Sequence, residues 1–214
     1  MPKSDLLHGF GLVVKHAEHW FSTYLEYLVP FYLALSNLDR PDDVVLSGYG
    51  ADILLGGFAA ETATPDDIAK LVQSEFATAT WANERSQTLG GSLGIEIANP
   101  FFDNRVVSTC LRIDPNLKHK DGINKYTLRK AFLGILEPHI AWRPKIGIHQ
   151  STNYQTFLTS YIAGCAELDQ TLITRAVKDQ FAYHVWRQIF ILGREPLDID
   201  YRKIARAVQL GSNK

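Results

Sequence analysis

Hydrophobic residues recur mostly at helical spacing along this chain. From about Lys15 to Leu38, aromatic and aliphatic side chains return every three or four positions, which predicts a helix that Pro30 kinks or divides in two. Thr64 and Pro65 suit an N-cap and a first helical position, so another helix is predicted from there to near residue 87, before the Gly90-Gly91 pair. Further helices are predicted over residues 51–59, 105–111, 125–136 and most of the chain after 154, with residues 191–200 interrupting them.

One segment, Val44 to Leu46, predicts a β-strand. It is uncharged and shows no polar alternation, which is typical of the buried middle of a parallel sheet. A single strand cannot make a stable sheet, and the segment "IEIANPFFDN" at residues 95–104 predicts irregular structure. The expected fold class is therefore a helix-rich α/β protein whose parallel sheet is completed by another chain.

The composition limits the partners and the setting that we expect. The chain has 214 residues and a formal net charge of -1, which argues against a nucleic-acid partner. No apolar run is long enough to span a membrane, and the sequence start lacks the apolar region of a secretion signal. The two cysteines have no metal-binding or disulfide spacing. We expect a reduced, cytoplasmic protein.

The strand is followed by a turn of small residues in "LSGYGADILLGG", residues 46–57. The strand breaks at Ser47-Gly48-Tyr49-Gly50, and a helix opens at Ala51-Asp52. Small residues at such a turn allow backbone N–H groups to approach a phosphate or a nucleotide. No glycine-rich phosphate loop of a standard type follows, so the turn by itself does not predict a complete nucleotide site.

Four motifs in order resemble the synthetase domain of the asparagine synthetase superfamily. They are "LSGYGADILLGG", "NPFFDNRVV", the K-x-x-L-R pattern from Lys125 to Arg129, and "WRPKIGIH". Within the superfamily, Tyr49 and the "KIGIH" loop resemble the branch of β-lactam and carbapenam synthetases. The resemblance implies that residues 1–214 form the C-terminal half of an adenine nucleotide α-hydrolase-like (ATP pyrophosphatase) synthetase domain.

Two parts of that family pattern do not occur in these residues. The S-G-G-x-D-S pyrophosphate loop is missing, and so is the glutaminase-type domain, with Pro2 where that domain has a nucleophilic cysteine. The resemblance therefore implies a separate chain that supplies the pyrophosphate loop and the remaining sheet strands.

The resemblance also implies that the site binds ATP and Mg²⁺. Ser47 and Gly48 match residues that line the adenine and ribose, and Asp52 matches a Mg²⁺ ligand. Lys125 matches a lysine that binds pyrophosphate. From the residues alone, Ser47 and Gly48 could instead form a simple turn, Asp52 could be an acid favoured by the helix dipole, and Lys125 could be a surface charge.

Three further residues match catalytic positions of the family. Tyr49 and Glu84 match a tyrosine–glutamate pair that acts as a base, which is chemically sensible because a carboxylate can orient a phenol and accept its proton. Lys145 matches an essential lysine, which on a proline-stiffened loop can stabilise a developing negative charge. Glu84 could otherwise be a helix-surface acid, and Lys145 a solvated lysine.

The resemblance implies a subunit of an ATP-dependent ligase that adenylates the carboxylate of a small, amino-acid-like substrate and closes an amide ring. Two alternatives stay open at this point. The chain could be a non-catalytic, partner-binding subunit or remnant, although the retention of all these residues argues against decay. It could also serve asparagine-type amidation with ammonia, against which stands Tyr49 at a usually acidic position.

Overall fold

The computed structural model describes residues 3–38, 44–79 and 85–208. Its helices are, in chain order, α1 (Lys3–Ala17), α2 (Ser22–Ser36), α3 (Ala51–Leu54), α4 (Pro65–Thr78), α5 (Ser86–Ser92), α6 (Asn104–Arg112), α7 (Pro115–Lys118), α8 (Tyr126–Ala131), α9 (Pro138–Ala141), α10 (Ile148–Ser151), α11 (Tyr154–Ala166), α12 (Arg175–Phe190) and α13 (Tyr201–Arg206). Its strands are β1 (Val44–Leu46), β2 (Glu96–Ala98), β3 (His119–Lys120) and β4 (Ile123–Asn124). The fold is a helix-rich α/β arrangement with a small parallel sheet, in agreement with the coarse fold class predicted.

The chain divides into two compact units. The first comprises Met1–Asp43, Thr88–Ile95 and Ile146–Lys214, and the second comprises Val44–Gln87 and Glu96–Lys145. The first unit is helical, and its core is built from side chains of α1, α2, α11 and α12, such as the fully buried Phe10, Leu25, Leu158 and Phe181. The second unit contains all four strands and the residues of interest for function.

The predicted helix from Lys15 to Leu38 is wrong in its start, and Pro30 does not divide it in two. Helix α2 begins at Ser22, whose backbone N–H donates to Asp179 Oδ1 at 2.6 Å. The helix continues past Pro30 to Ser36, because the buried side chains on both sides of the proline hold it in place. Neither the distant cap nor this burial can be read from local sequence.

The strand predicted at Val44–Leu46 is present, but it is not alone. Strand β1 pairs in parallel with β2, in the register Val44–Glu96, Val45–Ile97 and Leu46–Ala98. The segment predicted as irregular therefore supplies a neighbour, and its three-residue strand is too short to give a period-two signal.

The prediction that β1 is buried also fails within the described chain. Ile97 is buried on one face of the sheet, whereas Val44 and Leu46 are 51% and 72% exposed on the other. The described residues thus leave uncovered the face of the sheet on which Val44 and Leu46 lie.

Helix α4 begins as predicted and ends earlier. Thr64 caps it and forms a capping box with Asp67, while Pro65 occupies the first turn. The helix ends at Thr78 instead of near residue 87, and the predicted stop at Gly90-Gly91 falls inside the separate helix α5.

Among the later elements, α6 agrees with the helix predicted at 105–111. Helix α8 ends at Ala131, before the predicted end at residue 136. Strands β3 and β4 form a small antiparallel hairpin whose two turn residues, Asp121 and Gly122, both have positive φ, as a tight two-residue turn requires. In the part of the chain that the structure describes, no helix is long and apolar enough to cross a membrane.

Candidate active site

The candidate site begins where β1 ends and the chain turns into α3. The backbone N–H of Ser47 donates to Ala98 O of β2 at 2.8 Å, and Ser47 Oγ accepts from the N–H of Tyr49 at 3.1 Å. Gly50 then has φ 97°, and a side chain there would clash with Phe101 and Phe102. A glycine is therefore required at this point for the turn to close.

Helix α3 is short and depends on its surroundings. Its Leu54 and the following Leu55 are buried in a small core with Cys110. The buried ammonium of Lys118 donates to Leu54 O at 3.0 Å, and burial lowers the pKa of Lys118. These contacts hold α3 in a fixed place, and they hold Asp52 in its first turn with it.

Asp52 lies between two lysines. Lys125 Nζ lies 2.9 Å and Lys145 Nζ 3.0 Å from the same oxygen, Asp52 Oδ1. Both ammonium groups thus lie within ion-pair distance of one carboxylate oxygen. Burial raises the pKa of the Asp52 carboxyl, but Lys125 and then Lys145 outweigh burial, and the pKa lies below its usual value.

Lys145 has two further contacts. Its ammonium donates to Gly57 O at 2.9 Å and lies 4.3 Å from the centre of the Phe58 ring. An ammonium has three N–H donors, and a carboxylate, a carbonyl and an aromatic face here provide three acceptors. The side chain is still 30% exposed, so an anion from solvent can reach it.

The side chain of Asp52 packs closely against Gly57. A side-chain carbon placed at Gly57 would lie 1.8 Å from Asp52 Oδ1 and 2.6 Å from its Cγ. Gly57 N–H donates to Asp52 O at 2.7 Å, and Gly57 O also accepts from Asn124 Nδ2 at 3.2 Å. The sequence motif "LLGG" thus includes a glycine that leaves room for the carboxylate.

Lys125 is held by its backbone. It follows strand β4 and precedes α8 with φ 54° and ψ 33°, a left-handed conformation that is uncommon for a residue with a side chain. Such conformations persist only where the surroundings enforce them, and they occur often at functional sites.

The proposed tyrosine–glutamate pair is only half described. Tyr49 is half-buried, and its ring lies 5.1 Å from the ring of Phe102. Glu84 lies outside the described residues, so its pairing with Tyr49 stays a prediction.

The described residues do not by themselves complete a magnesium site. They contain no group of three His, Cys, Asp or Glu side chains placed to hold a metal ion. Asp52 offers one carboxylate, and its charge is already matched by two ammonium groups. A magnesium ion at Asp52 would need further oxygen ligands from outside the described residues.

The fold brings together Asp52, Lys125 and Lys145, all predicted as site residues, and places Ser47, Gly48 and Tyr49 on the turn before α3. Sequence reasoning did not identify the contacts of Gly57, Phe58 and Asn124. Gly57 stands within a quoted motif, but nothing in the sequence indicates the contacts of Phe58 or Asn124.

Comparisons with known proteins agree with the motif resemblance. Residues 82–184 match the family described as asparagine synthase. The chain is 28% identical to the carboxyethyl-arginine beta-lactam-synthase of Streptomyces clavuligerus, over 97% of this chain and 40% of that protein. It is 30% identical to asparagine synthetase [glutamine-hydrolyzing] 1 of Saccharomyces cerevisiae, over 76% of this chain and 30% of that protein. It is 25% identical to asparagine synthetase B of Escherichia coli, over 83% of this chain and 34% of that protein.

The site and the fold define a helix-rich α/β protein with paired lysines on one aspartate beside the end of a parallel strand. The chain is similar to the asparagine synthetase superfamily over residues 82–184, and its match to a β-lactam synthetase runs over almost its whole length. It spans 40% or less of the length of the relatives named above.

Proposed function

We propose that this chain forms the C-terminal half of the synthetase domain of an ATP-dependent ligase that closes an amide ring, as β-lactam synthetases do. The observation that carries the proposal is the convergence of Lys125 and Lys145 on Asp52, next to the turn at the end of β1. Two ammonium groups that share one carboxylate retain attraction for a further anion, and a triphosphate is such an anion. The match to a β-lactam synthetase over 97% of the chain supports the ring-closing branch.

Four of the site residues bind the nucleotide and its metal ion. Ser47 and Gly48 line the nucleotide, and a side-chain carbon built at Gly48 would meet no atom within 4 Å, so a ligand can approach the backbone there. Lys125 binds the pyrophosphate portion. Asp52 contributes one ligand to Mg²⁺, which when bound would neutralise charge on the phosphates.

The reaction has two steps. The substrate carboxylate attacks the α-phosphate of ATP and releases pyrophosphate, and an amine then attacks the acyl-adenylate, forms the amide and releases AMP. Lys145 stabilises the negative charge that develops in the transition state. Tyr49, oriented by Glu84, takes the proton that the attacking amine loses.

The proposal includes a separate chain with the S-G-G-x-D-S loop and the remaining sheet strands, and an intracellular, cytoplasmic setting. The exposed face of β1 and the larger size of the relatives support this completion. Because the loop and a second acid are assigned to that chain, activity is expected only from the assembled enzyme.

The test of the proposal is turnover by the assembled enzyme with amino-acid-like carboxylates. Lys145→Ala should lower kcat on the order of 10²-fold or more, since its charge acts in the transition state. Lys70→Ala is the matched control, because Lys70 is an exposed lysine of the same unit on α4 and should leave turnover unchanged. Equal turnover of the two variants would contradict the role of Lys145.

The two chemical steps are separated at Tyr49 and Glu84. In Tyr49→Phe and Glu84→Gln, exchange of pyrophosphate into ATP should persist while the cyclised product falls by about 10²–10⁴. The double variant should be little worse than either single one. A product that requires added ammonia would instead identify asparagine-type amidation, and no ATP-dependent product at all would favour a non-catalytic subunit.

A further inference from the structure

The two lysines of the candidate site stand on segments that have little in common locally. Lys125 follows the β3–β4 hairpin, whereas Lys145 lies in a stretch after α9 that has no regular secondary structure. Pro144 has no backbone N–H to donate, and in the described chain no backbone–backbone hydrogen bond is donated by Lys145. Something other than regular secondary structure must therefore hold the Lys145 segment beside Asp52.

The side chain of Arg129 makes that connection. Its Nε donates to Asn124 O at 2.9 Å, on the residue immediately before Lys125. Its Nη1 donates to Ala141 O at 2.9 Å and to Arg143 O at 2.8 Å, and Arg143 lies two residues before Lys145. One guanidinium thus joins the backbones that carry both lysines.

Only a guanidinium suits this arrangement. Its five N–H donors lie in a rigid plane, and here three hydrogen bonds leave from two of its nitrogen atoms toward carbonyls of two segments. A lysine ammonium is a single point and cannot span carbonyls on both sides.

We infer that Arg129 is the positioning residue of the lysine pair: it fixes the distance between Lys125 and Lys145, and through it the place where both meet Asp52. The use of this pair in catalysis rests on the proposed function, but the positioning itself does not. Asn124 adds to the same network, since its side chain donates to the Gly57 carbonyl that Lys145 also contacts.

The test measures how fast each lysine of the chain is acetylated by sulfosuccinimidyl acetate, with peptide mass spectrometry as the readout. In the unchanged protein, Lys125 and Lys145 should react more slowly than the exposed Lys70. In Arg129→Lys, the rate at Lys145 should rise by roughly three- to tenfold, the range expected from losing about one net hydrogen bond. The rise at Lys125 should be smaller, because the hairpin still holds that segment.

Two variants guard the result against a general loss of structure. Arg112→Lys is the matched control, because Arg112 is an exposed arginine of the same unit that bonds only a carbonyl of its own helix, Ser108 O, and should change neither rate. In Arg129→Ala, added guanidinium ion should restore slow acetylation of Lys145, whereas urea at the same low concentration should not. A residue that only added stability would not show this rescue.

Unchanged acetylation at Lys145 in folded Arg129→Lys and Arg129→Ala would overturn the inference. So would a loss of the cooperative unfolding transition in both variants, since Arg129 would then be a residue of general stability. In the assembled enzyme, Arg129→Lys should lower kcat by roughly 10²-fold with a smaller change in KM, as displacing a charge by about 1 Å does. If no ligase activity is found, the acetylation rates still decide the positioning role.

Discussion

At the scale of single residues, the charge state of one carboxylate sets the character of the site. Asp52 is ionised in the folded protein well into the acid range, because two ammonium groups outweigh its burial. Its folded pKa lies below the ordinary value of 3.8. The stability that it contributes is therefore fully present above pH 3.8 and is lost as the pH falls through the lower, folded pKa.

Replacing Asp52 by asparagine should consequently destabilise the chain in a pH-dependent way. At neutral pH, Asp52→Asn leaves two ammonium groups close together without their counter-charge, and we expect a loss on the order of 1 kcal/mol. In urea denaturation, the difference in free energy of unfolding between the variant and the unchanged protein should be largest at neutral pH. It should disappear as the pH falls below about 3.8.

Asp121→Asn provides the control for this experiment. Asp121 is an exposed turn residue with φ 53°, a conformation that asparagine also adopts readily. The change in free energy of unfolding caused by Asp121→Asn should therefore be small at every pH. If the destabilisation by Asp52→Asn were the same at pH 7 and in acid, the carboxylate of Asp52 would not be stabilised by the two lysines as described.

At the scale of elements, helix α3 and the turn after it together hold Asp52 in position. The helix has only four residues, Ala51–Leu54, which is too short to be stable by its own hydrogen bonds. Burial of Leu54 and Leu55, the Lys118 contact and the close packing of Asp52 on Gly57 provide the stability instead.

Gly57→Ala should therefore disturb the packing of α3 and of the turn that follows it. The added carbon would lie 1.8 Å from Asp52 Oδ1, so either the carboxylate or the backbone must move. We expect a loss of about 1–3 kcal/mol in the free energy of unfolding, the usual cost of overpacking, measured by urea denaturation. Lys145 should also become more accessible to acetylation, because it contacts Gly57 O.

Gly164→Ala is the matched control. Gly164 lies inside helix α11 with no atom within 4 Å of an added carbon, so alanine there should stabilise the protein by about 0.5–1 kcal/mol. If the two substitutions changed the free energy of unfolding equally, the packing of Asp52 against Gly57 would not contribute to stability.

At the scale of the whole molecule, the uncovered face of the parallel sheet dominates the expected behaviour. Leu46 is 72% exposed on a strand that has one described neighbour. An apolar, partly unpaired strand is a surface at which other chains can add. The chain by itself should therefore associate with a partner or with further copies.

Sedimentation velocity at micromolar concentration measures this expectation. The unchanged chain should sediment faster than a monomer, and Leu46→Lys should shift it toward the monomer, because a lysine opposes edge-to-edge pairing. Leu197→Lys, at a leucine that is 77% exposed in the helical unit, should leave association unchanged. A well-folded monomer from the unchanged chain would contradict the prediction.

Local signals in the sequence determined the parts of this protein that depend on near neighbours. The cap at Thr64, the helix at residues 104–112, the existence of β1 and the turn at its end follow from residue types within a few positions. The family motifs also predicted Asp52, Lys125 and Lys145 as site residues, and the fold brings these three side chains together. These features could be predicted because their causes lie in the same short stretch of chain.

The tertiary structure alone decided what depends on distant partners. Strand β2 forms because β1 offers it hydrogen bonds, and α2 begins at Ser22 because Asp179 accepts its backbone N–H. The contact of Lys145 with Gly57 joins residues 88 positions apart, and no local pattern encodes such a distance. Folding places a carboxylate, two ammonium groups and the Arg129 guanidinium close together, because each gains a charged or hydrogen-bonding partner that its own segment lacks.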